Sequence, residues 1–208
     1  MTGPLTREQL AAAVARDVPA GAIVNLGIGQ PTMVAEYLDP SAGVLLHTEN
    51  GMLGMGPEAR GDDIDTDLTN AGKIPVTELP GAAYFHHADS FAMMRGGHLD
   101  VCVMGAYQVS FEGDLANWST GDPEAIPAVG GAMDLAVGAR SVFVMMALFG
   151  KDGAPKLVPT CSYPLTAMRC VTRLYTDYAI FHRDSRNRLS IVETFGIAAP
   201  DLARRLGL

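Results

Sequence analysis

Short apolar runs alternate with segments of helical pattern along most of the chain, and this alternation restricts the fold more than any other feature. Two of the runs, residues 99–105 and 142–148, are almost continuously apolar, as expected of strands that are buried on both faces of a parallel sheet. The alternation predicts an α/β fold with an open, mostly parallel sheet flanked by helices, whose ligand sites lie beyond the carboxyl ends of the strands. No repeat or low-complexity linker interrupts the pattern, so we expect residues 1–208 to form a single domain.

The same pattern predicts individual elements. Thr6 and Gln9 can form a capping box at the start of a helix, and Pro31 suits the first turn of another. Strands are predicted at residues 22–26, 44–48, 74–79, 99–105, 142–148, 178–182 and 189–194. Helices are predicted at residues 7–17, at 31–38, from a cap at Asp89 to residue 95, from Gly130 and Gly131 to residue 137, and from Pro200 onward.

Glu49 directly follows the predicted strand 44–48 and precedes a glycine-rich turn. In an open parallel sheet this position lies at the edge where ligands bind. A carboxylate on a short turn that is partly shielded from water can act as a base or as a covalent nucleophile. Glutamate next to glycine is also common in ordinary surface turns, and from the spacing alone that interpretation is the more frequent one.

Two glycine pairs stand where the chain enters a predicted helix. The segment Gly27-Ile28-Gly29 lacks the third glycine of a dinucleotide fingerprint. Because no acidic residue is convincingly placed for a ribose, a nicotinamide cofactor is not expected. Main-chain N–H groups at such a turn can instead bind an anion or a developing oxyanion. The same argument applies to the segment Gly130-Gly131-Ala132.

Composition and charge argue against several classes of protein. The net charge of −8 and a pI near 5.0 do not favour nucleic acid or an anionic membrane surface as a partner. No apolar run reaches the ~20 residues of a membrane helix, and no export signal is recognisable at the N-terminus. We therefore expect a cytoplasmic protein without membrane association. The cysteines, which we interpret as reduced thiols in or near the core, are Cys102, Cys161 and Cys170.

No metal site is expected. The acidic run at residues 62–67 has no nearby histidine or ordered carbonyl ligand, so we interpret it as a solvated loop. Adjacent histidines in an extended segment point in different directions, and we assign structural roles to His86, His87 and His98. The single tryptophan, Trp118, is expected to anchor the packing near the site.

The segment His-Thr-Glu-Asn-Gly-Met-Leu-Gly-Met-Gly-Pro at residues 47–57 resembles the active-site signature of the family I CoA transferases, in their β subunit. The likeness extends from about residue 7 to about residue 182, and its further blocks occur in the same order. With these blocks, the nucleophile interpretation of Glu49 is favoured over the ordinary turn. The further blocks are residues 24–32, 70–73, 95–100, 113–118 and 130–135.

The resemblance implies a ping-pong reaction in which Glu49 forms a covalent glutamyl-CoA thioester. CoA and acyl-CoA are then substrates, and neither a metal nor a permanently bound cofactor takes part. The loops near Glu49 are implied to form the oxyanion site and to contact CoA. The implied loop residues are Gly27, Ile28, Gly29, Asn50, Gly51, Gly130, Gly131 and Ala132, with Asn25, Asn70 and Asn117 as supporting residues.

The resemblance also implies a partner, because the family works with two homologous lobes and this chain matches one of them. We expect an α subunit and an α2β2 assembly. Succinyl-CoA is the expected donor, and the likeness over the whole length favours 3-oxoadipate as the acceptor, with acetoacetate or another 3-oxoacid as the alternative. The same superfold hosts sugar-phosphate isomerases and metabolite-sensing domains, which remain alternatives of other classes.

Overall fold

The computed structural model of the chain describes residues 3–122, 124, 126 and 130–208. These residues form a nine-stranded sheet with helices on both faces and a second, three-stranded sheet. Helices α1 to α4 are Arg7–Arg16, His87–Arg95, Ala132–Gly138 and Ala199–Leu206, and the 3-10 segments are Gln30–Tyr37, Pro40–Ala42 and Gly61–Asp63. Strands β1 to β12 are Ile23–Leu26, Leu45–Thr48, Met52–Glu58, Val76–Tyr84, Val101–Met104, Gln108–Ser110, Leu115–Ala116, Ser141–Met146, Leu157–Val158, Val171–Thr176, Ala179–Arg183 and Leu189–Thr194.

The large sheet has the strand order β12-β11-β10-β8-β5-β1-β2-β3-β4, and the small sheet has the order β7-β6-β9. The central strands β10, β8, β5, β1 and β2 are parallel to one another. At the two edges, β11 with β12 and β3 with β4 add antiparallel strands. The predicted α/β fold with an open, mostly parallel sheet is therefore confirmed for the centre of the sheet, and its edges are antiparallel.

The central strands are apolar throughout because both of their faces are covered. In β5, Cys102 and Met104 belong to the core that the sheet shares with α2, α3 and α4. Val101 and Val103 alternate with them and belong to the core on the opposite face, under α1 and the 3-10 segment Gln30–Tyr37. This period-2 alternation of two apolar sets explains why the sequence showed a continuous apolar run.

The predicted first helix is confirmed together with its capping box. The Thr6 N–H donates to the Gln9 side-chain oxygen at 2.9 Å, and the Gln9 N–H donates to Thr6 Oγ1 at 3.3 Å. The strand predicted at residues 189–194 has the same bounds in the structure. Most other predicted elements are present with shifted ends, as expected of boundaries read from sequence.

The glycine-rich segment after Glu49 was predicted as a turn, and the structure corrects this to a strand. Only residues 49–51 turn, and β3 then runs antiparallel to both β2 and β4. Gly51 has φ of 115°, and a Cβ there would overlap the Phe85 carbonyl oxygen. Gly54 would meet Ala82 at 3.1 Å, so these glycines allow close strand packing rather than a long loop.

Other elements also differ from the prediction. The segment after Pro31 is a 3-10 helix, in which the Thr32 N–H and hydroxyl both bond to the Gly29 carbonyl oxygen. Helix α2 begins at His87 and is capped by the His86 side chain, three residues before the expected cap Asp89. Strand β4 spans Val76–Tyr84 and not residues 74–79. The strands that the sequence analysis did not predict are β3, β6, β7, β9 and β10.

Candidate active site

Glu49 lies in the tight turn that joins β2 to β3, at the carboxyl end of β2. The turn is closed by the Gly51 N–H, which donates to the Thr48 carbonyl oxygen at 3.1 Å. The Thr48 hydroxyl oxygen accepts from the Met52 N–H, also at 3.1 Å. Both bonds fix the backbone on either side of Glu49, so its half-buried side chain projects from a rigid turn.

The Glu49 carboxylate lies against the start of helix α3. The Gly131 main-chain amide lies beside this carboxylate and lowers its pKa, and a Cβ at Gly131 would stand 2.7 Å from Glu49 Oε2 and 3.0 Å from its Cδ. Gly131 has φ of −85°, a value that any residue can adopt. The close approach of the carboxylate, and not the backbone conformation, therefore requires glycine at this position.

The surroundings of Glu49 contain groups that raise the pKa of its carboxyl group and groups that lower it. Burial raises the pKa of its carboxyl group, the Gly131 hydrogen bond and the charge of His87 lower it, and Asp134 raises it, with a net upward shift. Desolvation disfavours the ionised form, so the carboxylate, once ionised, is less stable than one in water. Carboxyl groups with raised pKa values in clefts are common among catalytic groups.

A cavity of about 510 Å³ opens at Glu49 and contains seven of the residues that the sequence analysis singled out. Its wall also includes the apolar side chains of Met104, Met145 and Met146, and the polar side chains of Tyr107 and Lys156. Concave, largely apolar sites with a few polar groups are typical of small-molecule binding. The predicted residues in this wall are Gly27, Ile28, Glu49, Asn117, Gly130, Gly131 and Ala132.

Five predicted residues lie elsewhere. Asn25 and Asn70 line a second cavity of about 650 Å³, and Gly29, Asn50 and Gly51 line neither cavity. The Asn50 side chain donates to the Thr69 carbonyl oxygen at 2.8 Å, and Asn70 Oδ1 accepts from the N–H of Gly72 at 2.8 Å. The asparagines at 50 and 70 therefore hold loops together, and their side chains are not brought to the carboxylate of Glu49.

Asn117 is fixed within the wall of the first cavity. Its side-chain N–H donates to the Gly105 carbonyl oxygen at 3.2 Å, and its Oδ1 accepts from the Thr166 hydroxyl at 2.6 Å. The neighbouring Trp118 is half-buried, and its indole N–H donates to the Leu165 carbonyl oxygen at 3.1 Å. This bond ties Trp118 to the segment at Leu165, and its role as a packing anchor stays a prediction.

A buried hydrogen-bonded chain lies behind the turn that carries Glu49. Asn25 Nδ2 lies 3.2 Å from His47 Nδ1, and His47 Nε2 lies 3.0 Å from Ser90 Oγ. The Ser90 hydroxyl donates to the Thr48 carbonyl oxygen at 3.1 Å, so it accepts from a proton on His47 Nε2. Burial lowers the pKa of His47 to about 4, which keeps the ring neutral, with Nδ1 as the acceptor for Asn25.

Sequence reasoning missed His47, Ser90 and Lys156. His47 lies within the signature segment, but nothing in the spacing separated it from its neighbours. Lys156 precedes β9, a strand of two residues, which is too short to leave a periodic signal. Only the folding of this loop over β8 and β6 brings the lysine to the cavity.

The histidines and cysteines have mixed outcomes. His86 caps α2, so its predicted structural role is confirmed, whereas His87 lies near enough to Glu49 for its charge to affect that carboxyl group. Cys102 is buried in the core as predicted, and Cys161 and Cys170 are half-buried. All three thiols are free. Burial raises the pKa of Cys161 to about 11 and that of Cys170 to about 12, so these groups are poor nucleophiles.

The acidic run at residues 62–67 is exposed to solvent, as expected. Within the described ranges, no group of histidine, cysteine and acidic side chains is arranged to hold a metal ion. In the same part of the chain, none of the helices combines the length and the hydropathy that a membrane crossing requires.

Fold and site together define a class of protein: an α/β domain with a half-buried glutamate at the carboxyl edge of its sheet and glycine-loop amides around it, an arrangement suited to acyl transfer. The sequence model described as Coenzyme A transferase matches residues 7–195. The chain belongs to the coenzyme A transferase family, and the resemblance noted in the sequence is confirmed.

Two relatives are similar over most of their length, and each is one subunit of a 3-oxoadipate CoA-transferase. The chain is 61% identical over 180 residues to the relative from Pseudomonas putida, covering 86% of this chain and 84% of that protein. It is 52% identical over 203 residues to the relative from Acinetobacter baylyi, covering 98% of this chain and 94% of that protein.

Among solved structures, the fold is similar to that of the acyl-CoA transferase YdiF of Escherichia coli O157:H7 in a thioester complex with CoA. The TM-score is 0.72 at 16% identity, and the match covers 99% of this chain and 41% of that chain. This chain therefore spans about two fifths of YdiF, and the comparison supports the fold.

Proposed function

We propose that the chain is the catalytic β subunit of a CoA transferase that moves CoA from succinyl-CoA to 3-oxoadipate, with Glu49 as the covalent nucleophile. The observation that carries this proposal is the placement of the half-buried Glu49 carboxylate against the Gly131 N–H, in the wall of a cavity of about 510 Å³. The names of the relatives from Pseudomonas putida and Acinetobacter baylyi support 3-oxoadipate as the acceptor.

The reaction begins when the ionised Glu49 carboxylate attacks the thioester carbonyl carbon of succinyl-CoA. The resulting tetrahedral intermediate expels the CoA thiolate and leaves a succinyl-glutamyl anhydride. The thiolate then attacks the glutamyl carbonyl of this anhydride, which releases succinate and leaves a glutamyl-CoA thioester. A carboxylate is required because both carbonyls of a mixed anhydride are open to the thiolate.

The second half of the reaction reverses these steps with another acid. The 3-oxoadipate carboxylate attacks the glutamyl-CoA carbonyl, the CoA thiolate leaves, and a new mixed anhydride forms. The thiolate then attacks the 3-oxoadipyl carbonyl, which yields 3-oxoadipyl-CoA and regenerates the Glu49 carboxylate. One thioester is exchanged for another, so the free energy of the overall reaction is close to zero and no nucleotide is consumed.

The tetrahedral intermediates carry negative charge on oxygen, and main-chain amides near Glu49 are the groups that would stabilise it. The Gly131 amide already lies beside the Glu49 carboxylate, and the Gly27 and Ile28 loop lies in the same cavity wall. Losing one preorganised donor of this kind typically costs about 10²–10³ in rate. Burial raises the pKa of Glu49 by removing water from its carboxyl group. The same loss of solvation makes the carboxylate a stronger nucleophile once it is ionised.

We further propose that the site is completed by an α subunit in an α2β2 assembly in the cytoplasm. Both relatives are named as subunits, and large apolar side chains are exposed in the cavity wall and on the helix that follows it. Ile28 is 68% exposed in the cavity wall, and Val137, on helix α3 after the Gly131 cap, is 78% exposed. Exposed apolar groups of this size next to a site are typical of a surface that another subunit covers.

The test is to trap the intermediate. The chain is co-expressed with an α-type CoA-transferase subunit, the complex is incubated with succinyl-CoA, and hydroxylamine is added to convert the thioester to a hydroxamate. Mass spectrometry should locate the modification on Glu49, and excess 3-oxoadipate added before hydroxylamine should prevent it by discharging the thioester. Glu49→Gln should abolish the modification, whereas the control Glu58→Gln, at an exposed glutamate of β3, should leave it intact.

An unmodified Glu49 in a folded complex would overturn the mechanism and favour a sensor or isomerase of the same superfold. Modification by succinyl-CoA with discharge by acetoacetate, and not by 3-oxoadipate, would keep the mechanism and replace the acceptor.

A further inference from the structure

Lys156 supplies the positive charge in the described part of the wall around Glu49. The cavity that contains Glu49 also contains Lys156, and the other described lining residues are glycine, apolar or uncharged polar residues. A carboxylate and an ammonium group thus stand in one cavity of about 510 Å³. The mechanism proposed above uses the carboxylate and leaves the ammonium without a role.

The backbone holds Lys156 firmly. Its N–H donates to the Leu148 carbonyl oxygen at 2.8 Å, and its carbonyl oxygen accepts from the Val109 N–H at 3.0 Å. The loop that carries the lysine is therefore bonded to Leu148, just after β8, and to Val109 of β6. Its position relative to the cavity is fixed by main-chain bonds, and the flexible side chain alone is free to adjust.

The ammonium group has room for a further partner. Lys156 Nζ donates to the Ala106 carbonyl oxygen at 2.9 Å, and the ion pairs found among the described residues do not include it. A protonated lysine has three N–H donors. The pKa of Lys156 is lowered, because burial outweighs the opposing effect of the charge on Asp177. A half-buried ammonium of this kind is stabilised by an anion that enters the cavity.

We propose that Lys156 binds the distal carboxylate of dicarboxylic acyl groups and so selects succinyl and 3-oxoadipyl groups over monocarboxylic ones. This inference rests on the proposed function. Succinyl-CoA and 3-oxoadipate each carry a second carboxylate away from the reacting carbonyl, and acetoacetate carries none. When the reacting carbonyl lies at Glu49, the Lys156 ammonium in the same wall is the group that can pair with that second carboxylate.

The chemistry of lysine suits this task. An ammonium group on a flexible stem can follow carboxylates at different distances from the reacting carbon, whereas a planar guanidinium favours one geometry. The neighbouring wall residue Ala147 is small and uncharged, so it leaves space beside the lysine and places no competing carboxylate there. The methionines of the wall suit the methylene groups between the two ends of the acyl chain.

The test compares acyl groups with Lys156→Met, which removes the charge and keeps an unbranched side chain. The value of kcat/KM for forming the glutamyl-CoA thioester is measured in the complex with the α subunit, once with succinyl-CoA and once with acetoacetyl-CoA. We expect kcat/KM for succinyl-CoA to fall about 10- to 100-fold, the usual effect of losing a hydrogen bond to a charged group. We expect the value for acetoacetyl-CoA and the Kd of free CoA to change less than about threefold.

Two further variants complete the comparison. Lys156→Arg keeps the positive charge and should restore part of the preference for succinyl-CoA. Lys151→Met removes an exposed lysine that does not line the cavity and should leave both substrates unaffected.

The result that would overturn the inference is an equal loss for both acyl-CoA substrates together with weaker binding of free CoA, because Lys156 would then contact CoA itself. Unchanged kinetics in Lys156→Met would overturn it as well. In both cases the wild-type complex still forms its thioester on Glu49, so the proposed function stands. If the wild-type complex forms no thioester on Glu49, the proposed function fails, and the inference fails with it.

Discussion

In the proposed mechanism the Glu49 carboxyl group must be ionised to attack, yet its surroundings favour the protonated form. Burial outweighs the Gly131 hydrogen bond and the charge of His87, so the pKa of Glu49 is raised. A raised pKa means that protonation persists at pH values at which an ordinary glutamate is already ionised. The acid limb of the rate profile should therefore lie above the range of an ordinary carboxyl group.

This expectation is measured as the rate of glutamyl-CoA formation against pH at low succinyl-CoA concentration, where the profile reports the free enzyme. The rate should fall as the pH drops through the raised pKa of Glu49. Asp134→Asn removes a charge that raises this pKa, so it should move the limb toward lower pH. A limb at the ordinary value for glutamate, unaffected by Asp134→Asn, would contradict the assignment of the nucleophile.

Gly131 offers a second prediction at the scale of a residue. In Gly131→Ala the new Cβ would stand 2.7 Å from Glu49 Oε2, so the carboxylate or the amide must move. The backbone φ of −85° accepts alanine, and we expect little change in Tm. Because the amide donor is misplaced, kcat should fall about 10²–10³-fold.

Single-turnover kinetics with succinyl-CoA and a thermal melt measure the two effects separately. Gly3→Ala is a suitable control, because a Cβ at Gly3 meets nothing within 4 Å. A large drop in Tm with normal kinetics would show that Gly131 serves the packing and not the reaction.

At the scale of elements, side chains on β1 and α2 hold the end of strand β2 in place near the site. Asn25 of β1 and Ser90 of α2 bond to the two ring nitrogens of His47. Ser90 also bonds to the Thr48 carbonyl oxygen, directly before Glu49. The chain of bonds therefore fixes the backbone from which Glu49 projects.

We expect Ser90→Ala to lower the free energy of unfolding by about 1–3 kcal/mol, because His47 loses a buried partner. We also expect slower glutamyl-CoA formation with a nearly unchanged KM for succinyl-CoA, since the turn before Glu49 loses a restraint. The matched control is Ser110→Ala. Ser110 is also fully buried, but its hydroxyl bonds to Asp114.

Chemical denaturation and pre-steady-state kinetics distinguish the two variants. Ser110→Ala should lose stability and keep its kcat. If both variants had the same kcat, the chain through His47 would be a structural feature without a positioning role.

The sequence predicted several strands that are buried on both faces and a helix that carries its own cap, but it missed the central strand β10. The strand β5 and the capping box of α1 are examples of the correct predictions. It failed for β3, because the glycines that allow β3 to pack closely against β4 also give this segment the composition of a turn. It also failed for β6, β7 and β9, which have three residues or fewer and exist because tertiary contacts pair them.

The same limit applies to the site. Glu49 and the glycine segments could be found from local patterns, since a strand end and a helix start are local features. Lys156 and Ser90 could not, because each reaches its place through contacts between elements that are distant in sequence. Asn50 and Asn70 were grouped with the site by their neighbours in sequence, and the structure assigns their side chains to loop bonds.

At the scale of the whole molecule, the proposed α subunit can be tested at an exposed apolar side chain of α3. Val137 lies on α3, the helix whose first turn contacts Glu49, and it is 78% exposed. We expect Val137→Glu to weaken association with the α subunit and to lower the rate of thioester formation in proportion to the complex lost, because burying an unpaired charge in an interface is unfavourable. The isolated chain should keep its far-UV circular dichroism spectrum.

Val192→Glu is the matched control, because Val192 is 54% exposed on β12, an edge strand of the large sheet, and does not line the cavity. Sedimentation velocity of each variant with the α subunit, combined with the trapping assay on Glu49, measures assembly and chemistry in one sample. We expect the wild type and Val192→Glu to sediment as an α2β2 complex and Val137→Glu to dissociate at low concentration. Since charge is introduced at both positions, equal dissociation of the two variants would reflect the charge alone and would contradict the placement of the interface on α3.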